Sequence, residues 1–173
     1  MRRLILLRHT KSDWPEGVAD HDRPLAKRGF RAGPIMGAYM AEAGLIPDLA
    51  IVSTARRTQE TWALASPAFA TTIPAVDEPR IYEAPARKLL AVIHETPNDV
   101  RTLLLVGHNP GLEDLAAILI GAGTESDLTR LRDKYPTGGL AVIDFDLAFW
   151  SVVATGGGTL DRFVTPRLLD RSH

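Results

Sequence analysis

The sequence predicts an α/β fold built on a mostly parallel sheet, and three observations predict it. Short apolar runs of strand length alternate with longer segments of helical spacing, the pattern of a sheet buried on both faces by crossover helices. The runs at 4–7, 49–52 and 103–106 each end in a polar cluster: Arg8-His9-Thr10, Ser53-Thr54-Ala55-Arg56-Arg57 and Gly107-His108-Asn109-Pro110-Gly111. The 173 residues suit one domain, 1–173, with a full core and no linker longer than a loop. In such a sheet the carboxyl ends of parallel strands share an edge, so two histidines and two or three arginines converge on one pocket.

The elements follow in order. Met1-Arg2-Arg3-Leu4-Ile5-Leu6-Leu7 imitates the start of a secretory signal, but its apolar run stops at Arg8, short of the ~7–15 residues such a region needs, and it reads as the first strand. Leu25, Gly29, Ala32, Met36, Tyr39 and Ala43 recur at near-helical spacing, predicting a helix over 25–43 that ends at Gly44 and kinks at Pro34, which lacks a backbone donor. A strand at 49–52, helices at 57–65 and 86–94, and a strand at 103–106 come next. Between Arg57 and Leu103 there is space for two helices and their turns but no large lid, which predicts an open site. A helix over 110–120 is signalled by Asn109 as cap, Pro110 at the first helical position and Gly111 for close approach to a ligand. Strands at 140–145 and 150–154 complete the sheet, the last as an antiparallel edge.

Composition narrows the function. With 45% hydrophobic and 24% charged residues and a formal net charge of −1, the chain is of ordinary globular type, with no bulk charge for nucleic acid or an anionic membrane. No apolar run approaches the ~18 residues of a membrane span. Cysteine is absent, which removes disulfides, thiolate nucleophiles and thiolate metal sites and suits a cytoplasmic protein.

Taken singly, each polar cluster reads as a solvated loop. Three of them at three strand ends point to a site, and the residue types point to phosphoryl transfer. A neutral imidazole can attack phosphorus and carry the phosphoryl group, dividing hydrolysis into two steps; His9 is the candidate nucleophile. Arg8 and Arg57 can donate planar pairs of hydrogen bonds to phosphoryl oxygens. His108 can donate another to the transition state, helped by the amides opening the helix at Pro110. Arginines then supply the positive charge that Mg²⁺ provides elsewhere, so neither metal nor cofactor is called for.

These residues resemble the histidine phosphatase, or phosphoglycerate-mutase-like, superfamily, and within it the small SixA-type phosphohistidine phosphatases. Leu7-Arg8-His9-Thr10-Lys11-Ser12-Asp13-Trp14 is similar to the subgroup's opening signature, and Asp20-His21-Asp22-Arg23-Pro24-Leu25 with Arg28-Gly29 to its second block. The stretch from Ser53 to Thr61 resembles the third block, whose arginine precedes a threonine by four; that selects Arg57 over Arg56. The His108 block and the closing segment from Leu160 to Pro166 also match, so the resemblance runs from about Leu4 to Pro166. It implies a three-layer α/β/α sandwich and a phosphohistidine intermediate on His9. Two residues depart from the pattern: Thr10 stands where the superfamily usually has Gly, implying altered backbone contacts, and Ala26 replaces a capping hydroxyl, costing that helix end about 1 kcal/mol.

Larger relatives use a carboxylic acid to protonate the leaving oxygen, and Glu83 in Arg80-Ile81-Tyr82-Glu83 occupies a similar place; the competing reading is a solvated loop glutamate. A phosphohistidine substrate needs less proton help, because imidazole leaves more readily than an alkoxide. Lys11 and Ser12 lie close enough to His9 to touch phosphate or to set the loop, Asp22 and Arg23 read as buttresses or as a pair, and Trp14 as rim. His21 and His94 read as surface residues, His173 is terminal, and histidines so scattered lack metal-ligand spacing. The function expected is hydrolysis of phosphohistidine on a protein partner. The alternatives are a small-molecule phosphomonoesterase acting on a phosphate ester and a module that binds phosphoprotein without turnover; mutase and nucleotide-binding readings have less support, the latter lacking a glycine-rich fingerprint.

Overall fold

The computed structural model describes residues 1–170, so His173 lies outside the described residues. Seven strands form one mixed sheet: β1 (Arg2–Arg8), β2 (Leu49–Ser53), β3 (Ala75–Glu78), β4 (Thr102–Gly107), β5 (Ile120–Gly123), β6 (Leu140–Phe145) and β7 (Gly158–Val164). Their order is β3-β2-β4-β1-β6-β7-β5, and β6 alone runs against the rest. Six α-helices accompany them among the described residues: α1 (Lys27–Glu42), α2 (Arg56–Ala65), α3 (Ala86–His94), α4 (Gly111–Leu119), α5 (Glu125–Asp133) and α6 (Pro166–Asp170).

The unbroken apolar run of β1 is explained by the two faces it serves. Leu4 and Leu6 join a core with Leu89, Leu112, Leu115 and Phe145, whereas Ile5 and Leu7 join a second core with Met36, Met40 and Ala65. Alternating side chains therefore bury both faces of a central strand, α1 and α2 covering one and α3 and α4 the other. This is the α/β/α sandwich. Among the described residues no helix is long and apolar enough to cross a membrane.

The parallel register places the site. Arg8 lies opposite Gly107, the His9 amide donates to the Gly107 carbonyl (3.1 Å), and Val52 lies opposite Val106. Three carboxyl ends are thus adjacent at one edge.

Helix α1 carries glycine at every fourth position on the side facing its neighbours. A Cβ on Gly29 would sit 2.1 Å from the Lys11 carbonyl and one on Gly37 2.2 Å from that of Ala65, so bare backbone lets α1 press against α2 and the loop after β1. The helix continues through Pro34, which faces solvent, where water can satisfy the carbonyl that the missing donor leaves free. Ala26 opens α1 without a side-chain cap. At α4 the observed cap position is Pro110 rather than Asn109, although Asn109 Oδ1 still accepts the Glu113 amide (3.3 Å).

The predicted strand at 150–154 is corrected. Trp150–Val152 is a 3-10 turn, because Trp150 and Val153 point inward three residues apart and the indole N–H donates to the Val100 carbonyl (2.6 Å). The strand beside β6 is β7, whose register shifts between Val142 and Ile143, which interrupts the alternation that would have announced it. Strand β3, almost wholly exposed, and helix α5, with only Leu131 buried, lack the apolar signal on which sequence reading depends.

Candidate active site

Each of the three strand ends delivers buried polar side chains into one pocket: His9 after β1, Arg57 after β2 and His108 after β4. His9 follows β1 and is buried; its Nδ1 lies 2.8 Å from the Thr10 carbonyl. A carbonyl only accepts, so Nδ1 carries the proton and Nε2 keeps its lone pair for attack. Burial foremost, opposed by the Thr10 bond and reinforced by the charges of Arg8, Arg57 and Arg23, lowers the His9 pKa to about 3. The imidazole is therefore neutral near pH 7.

Thr10 anchors this turn. Its amide donates to Thr61 Oγ1 (3.1 Å) and its hydroxyl to the Gly29 carbonyl (3.0 Å), while Thr61 is itself held on the Arg57 carbonyl (2.7 Å). The spacing of four between Arg57 and Thr61 thus places one residue in the pocket and the other under the His9 loop. Arg56 points away and pairs with Glu60 at 3.5 Å.

His108 follows β4, its ring 5.4 Å from that of His9. Its Nε2 lies 2.8 Å from Ser53 Oγ. If the hydroxyl donates there, Nδ1 holds the proton and becomes a donor. Burial above all, then His9 and the nearby arginines, lowers this pKa also to about 3. The first amides of α4 are already engaged, Leu112 N–H with the His108 carbonyl (2.9 Å) and Glu113 N–H with Asn109, so they hold the His108 loop instead of facing a ligand.

Arg8 donates to the Tyr135 carbonyl (2.9 Å), and burial lowers its pKa despite the charge of Glu113. Arg57 donates through Nη1 to the Asp20 carbonyl (2.8 Å) and through Nη2 to Asp20 Oδ2 (3.1 Å) and Glu83 Oε1 (3.4 Å). Among the described residues three buried side-chain nitrogens or oxygens have no partner: Arg8 Nε, Arg57 Nε and His108 Nδ1. All three belong to this pocket; the arginine nitrogens donate, and His108 Nδ1 does so in the tautomer selected when the Ser53 hydroxyl, which accepts the Ala55 amide, donates to Nε2. Unpaired buried donors are costly unless a ligand completes them, and an anion beside His9 would do so.

The rim is polar, buried at Arg23 and Ser12 and exposed at Lys11, Trp14 and Glu83. Arg23 donates to Ser12 Oγ (2.6 Å) and Asp20 Oδ1 (3.0 Å) and stacks on the Trp14 ring at 3.2 Å, so it pairs with Asp20 and not with Asp22. Ser12 is thereby tied to Arg23, and Lys11 is exposed without a side-chain bond among the described residues. Glu83 sits in the left-handed region (φ 46°) with a largely exposed side chain. His21 bonds Thr54 (2.9 Å) and packs edge-on against Tyr82; His94 lies away on α3, bonded to the Val153 carbonyl (2.7 Å).

Sequence reasoning missed three contributors: Ser53, Asp20 and Tyr82, whose hydroxyl donates to Asp20 and whose ring meets His108 edge-on at 5.5 Å. Ser53 could have been found by asking what a buried His108 would bond to. The other two lie in or beside short 3-10 turns with no periodicity.

Comparison with known proteins then decides the family. Residues 4–89 match the model of the histidine phosphatase superfamily (branch 1). An uncharacterized protein of Mycobacterium tuberculosis is 36% identical over 163 residues, covering 93% of this chain and all of that one. The chain belongs to the histidine phosphatase superfamily. Solved structures agree: a candidate phosphohistidine phosphatase SixA from Agrobacterium tumefaciens is 31% identical with a TM-score of 0.79 over 95% of this chain and 99% of that one. Another from Nakamurella multipartitia is 28% identical with a TM-score of 0.81 over 95% and 96%. The chain accordingly has the phosphoglycerate-mutase-like sandwich, and its family and SixA-like neighbours support phosphatase activity.

Proposed function

We propose that this phosphatase hydrolyses phosphohistidine on a protein partner, through a phosphohistidine intermediate on His9 and without a metal ion, within a single domain spanning 1–173. The observation that carries the reading is the set of three buried, unpartnered donors on Arg8, Arg57 and His108 around a histidine whose Nε2 is free. In the first step Nε2 attacks phosphorus, the bond from phosphorus to the partner's imidazole breaks, and that nitrogen takes a proton from solvent water at the open mouth. In the second, water attacks, the bond to Nε2 breaks, and inorganic phosphate leaves. The two arginines and His108 hold the phosphoryl oxygens as charge develops on them.

The leaving group follows from the carboxylates. Burial raises the Asp20 pKa, but bonds from Tyr82 and Arg23 and the charge of Arg57 together hold it well below the usual carboxylate range, so it is no proton donor near pH 7. That favours a substrate whose leaving nitrogen departs with little help. The exposed residues of the rim and the likeness to the SixA proteins favour a phosphate displayed on a bulky partner. The guanidinium groups of Arg8 and Arg57 offer the positive charge that a metal ion would otherwise supply.

A small-molecule phosphomonoesterase is the second reading, favoured by Glu83, whose carboxylate reaches to 3.4 Å from Arg57. The test is phosphate release from a phosphohistidine-carrying protein and from an aryl phosphate, with wild type and His9→Ala in chelator. Release from the protein, lost in the variant and indifferent to chelator, is expected. Turnover of the aryl phosphate alone would select the second reading, and no turnover would select binding without catalysis.

A further inference from the structure

Asp20 engages the same arginine that the proposed reaction assigns to phosphate. Its Oδ2 accepts from Arg57 Nη2 (3.1 Å) and from the Tyr82 hydroxyl, its Oδ1 from Arg23 Nη1 (3.0 Å), and its backbone carbonyl from Arg57 Nη1 (2.8 Å). Both terminal nitrogens of Arg57 therefore reach Asp20, Nη2 touching Glu83 Oε1 as well at a longer 3.4 Å, while the buried Nε is left without a partner. A carboxylate and a phosphoryl group meet a guanidinium through the same pairs of hydrogen bonds. We propose that Asp20 is an internal anion that competes with phosphate for Arg57, lowering the affinity for free phosphate and so hastening loss of the product.

The inference rests on the reading that Arg57 binds phosphate. Three features support it. The Asp20 side chain is 38% exposed, against 3% for Arg57, so it approaches the guanidinium from the mouth, the side from which phosphate enters and leaves. Its position is enforced: Arg23, which holds Oδ1, is fixed in turn by Ser12 Oγ (2.6 Å) and the Asp13 carbonyl (3.0 Å). Its charge persists at the pH of the reaction, since the surrounding donors hold it ionised. Two of the cationic groups near His9, Arg57 and Arg23, are thus partly neutralised before any substrate arrives. A phosphorylated partner can offset that repulsion with contacts of its own at the rim, whereas free phosphate has none. The handicap therefore falls on the product.

The sign of the effect separates competition from support. If Asp20 merely positioned Arg57, removing its charge would loosen the arginine and weaken phosphate binding. If it competes, removing the charge strengthens it. Titration calorimetry of inorganic phosphate into the full chain, comparing wild type, Asp20→Asn, Asp20→Ser and Arg57→Ala, measures this directly. Asp20→Asn and Asp20→Ser are expected to bind phosphate roughly tenfold more tightly than wild type, the scale of one unit charge removed a few ångströms away in a partly solvated site. Product inhibition of turnover should strengthen by the same factor, and a thermal melt run in parallel reports whether each variant is folded. Unchanged or weaker phosphate binding in the folded Asp20 variants overturns the proposal. Undiminished binding in Arg57→Ala would instead remove Arg57 from the phosphate site, a failure of the underlying reading that the Asp20 variants cannot mimic.

Discussion

The floor and the rim of the pocket are built on opposite principles. On the floor His9, His108 and Arg57 stand at 6%, 5% and 2% exposure on the ends of central strands or the first turn of a helix, each fixed by short bonds to backbone or to a buried hydroxyl. On the rim Asp20, Tyr82 and Glu83 hang from loops and 3-10 turns, the first two half-buried and Glu83 exposed, and are bonded mainly to one another and to the floor's arginine. Low dielectric at the floor keeps both imidazoles neutral and leaves donors unpaired for an anion; access to water at the rim lets charge persist. On the proposed function, chemistry is placed on the rigid scaffold and affinity is adjusted from the loops.

The comparison is broken most severely at the floor. His9→Ala is expected to reduce phosphate release by more than about 1,000-fold, since it removes the covalent route; near-normal release would show that water attacks phosphorus directly. Arg57→Lys should cost on the order of 100-fold in kcat/KM, because an ammonium cannot reproduce the guanidinium fork. Ser53→Ala is expected to cost about tenfold through the His108 tautomer. Nitrogen NMR of the imidazole, with rescue by Ser53→Thr, distinguishes this from simple loss of packing, and an unaltered tautomer would refute it.

The rim should respond more mildly and selectively. Glu83→Gln is expected to impair alkyl phosphate hydrolysis by several-fold more than phosphohistidine hydrolysis; equal losses on both would erase the contrast between leaving groups.

The same difference appears in stability. His9 and His108 have folded pKa values near 3 against an ordinary 6.5. Between those values the unfolded chain takes up protons that the folded chain refuses, so stability is full above about pH 6.5 and declines as pH falls toward about 3. Urea midpoints at pH 7 and at about pH 5 should show the decline, and replacing both histidines with glutamine should flatten it. A wild-type midpoint independent of pH over this range would contradict the burial of the two imidazoles. At the back of the site, Gly29→Ala forces a methyl against the Lys11 carbonyl and should cost about 1–3 kcal/mol.

The floor was legible in the sequence and the rim was not, for one physical reason. Central strands buried on both faces leave unbroken apolar runs, so the ends of β1, β2 and β4, and with them His9, Arg57 and His108, could be located from pattern alone. Asp20 and Asp22 stand two apart in one polar turn, and only the three-dimensional path of Arg57 and Arg23 selects the first. The same loss of periodicity hid β7, where a register shift breaks the alternation, and exposed elements such as β3 and α5. Trp150, read as a strand residue, is a core plug in a turn.

The central claim is that His9 Nε2 carries the phosphoryl group, and the most direct measurement is trapping of the intermediate. Wild type and His108→Ala, mixed with a phosphohistidine-carrying protein and quenched in alkali, where phosphohistidine survives, should yield by peptide mass spectrometry a phosphate on His9, more abundant in the variant. Turnover in wild type with no phosphate on His9 in either protein, or with phosphate on another residue, would contradict the account.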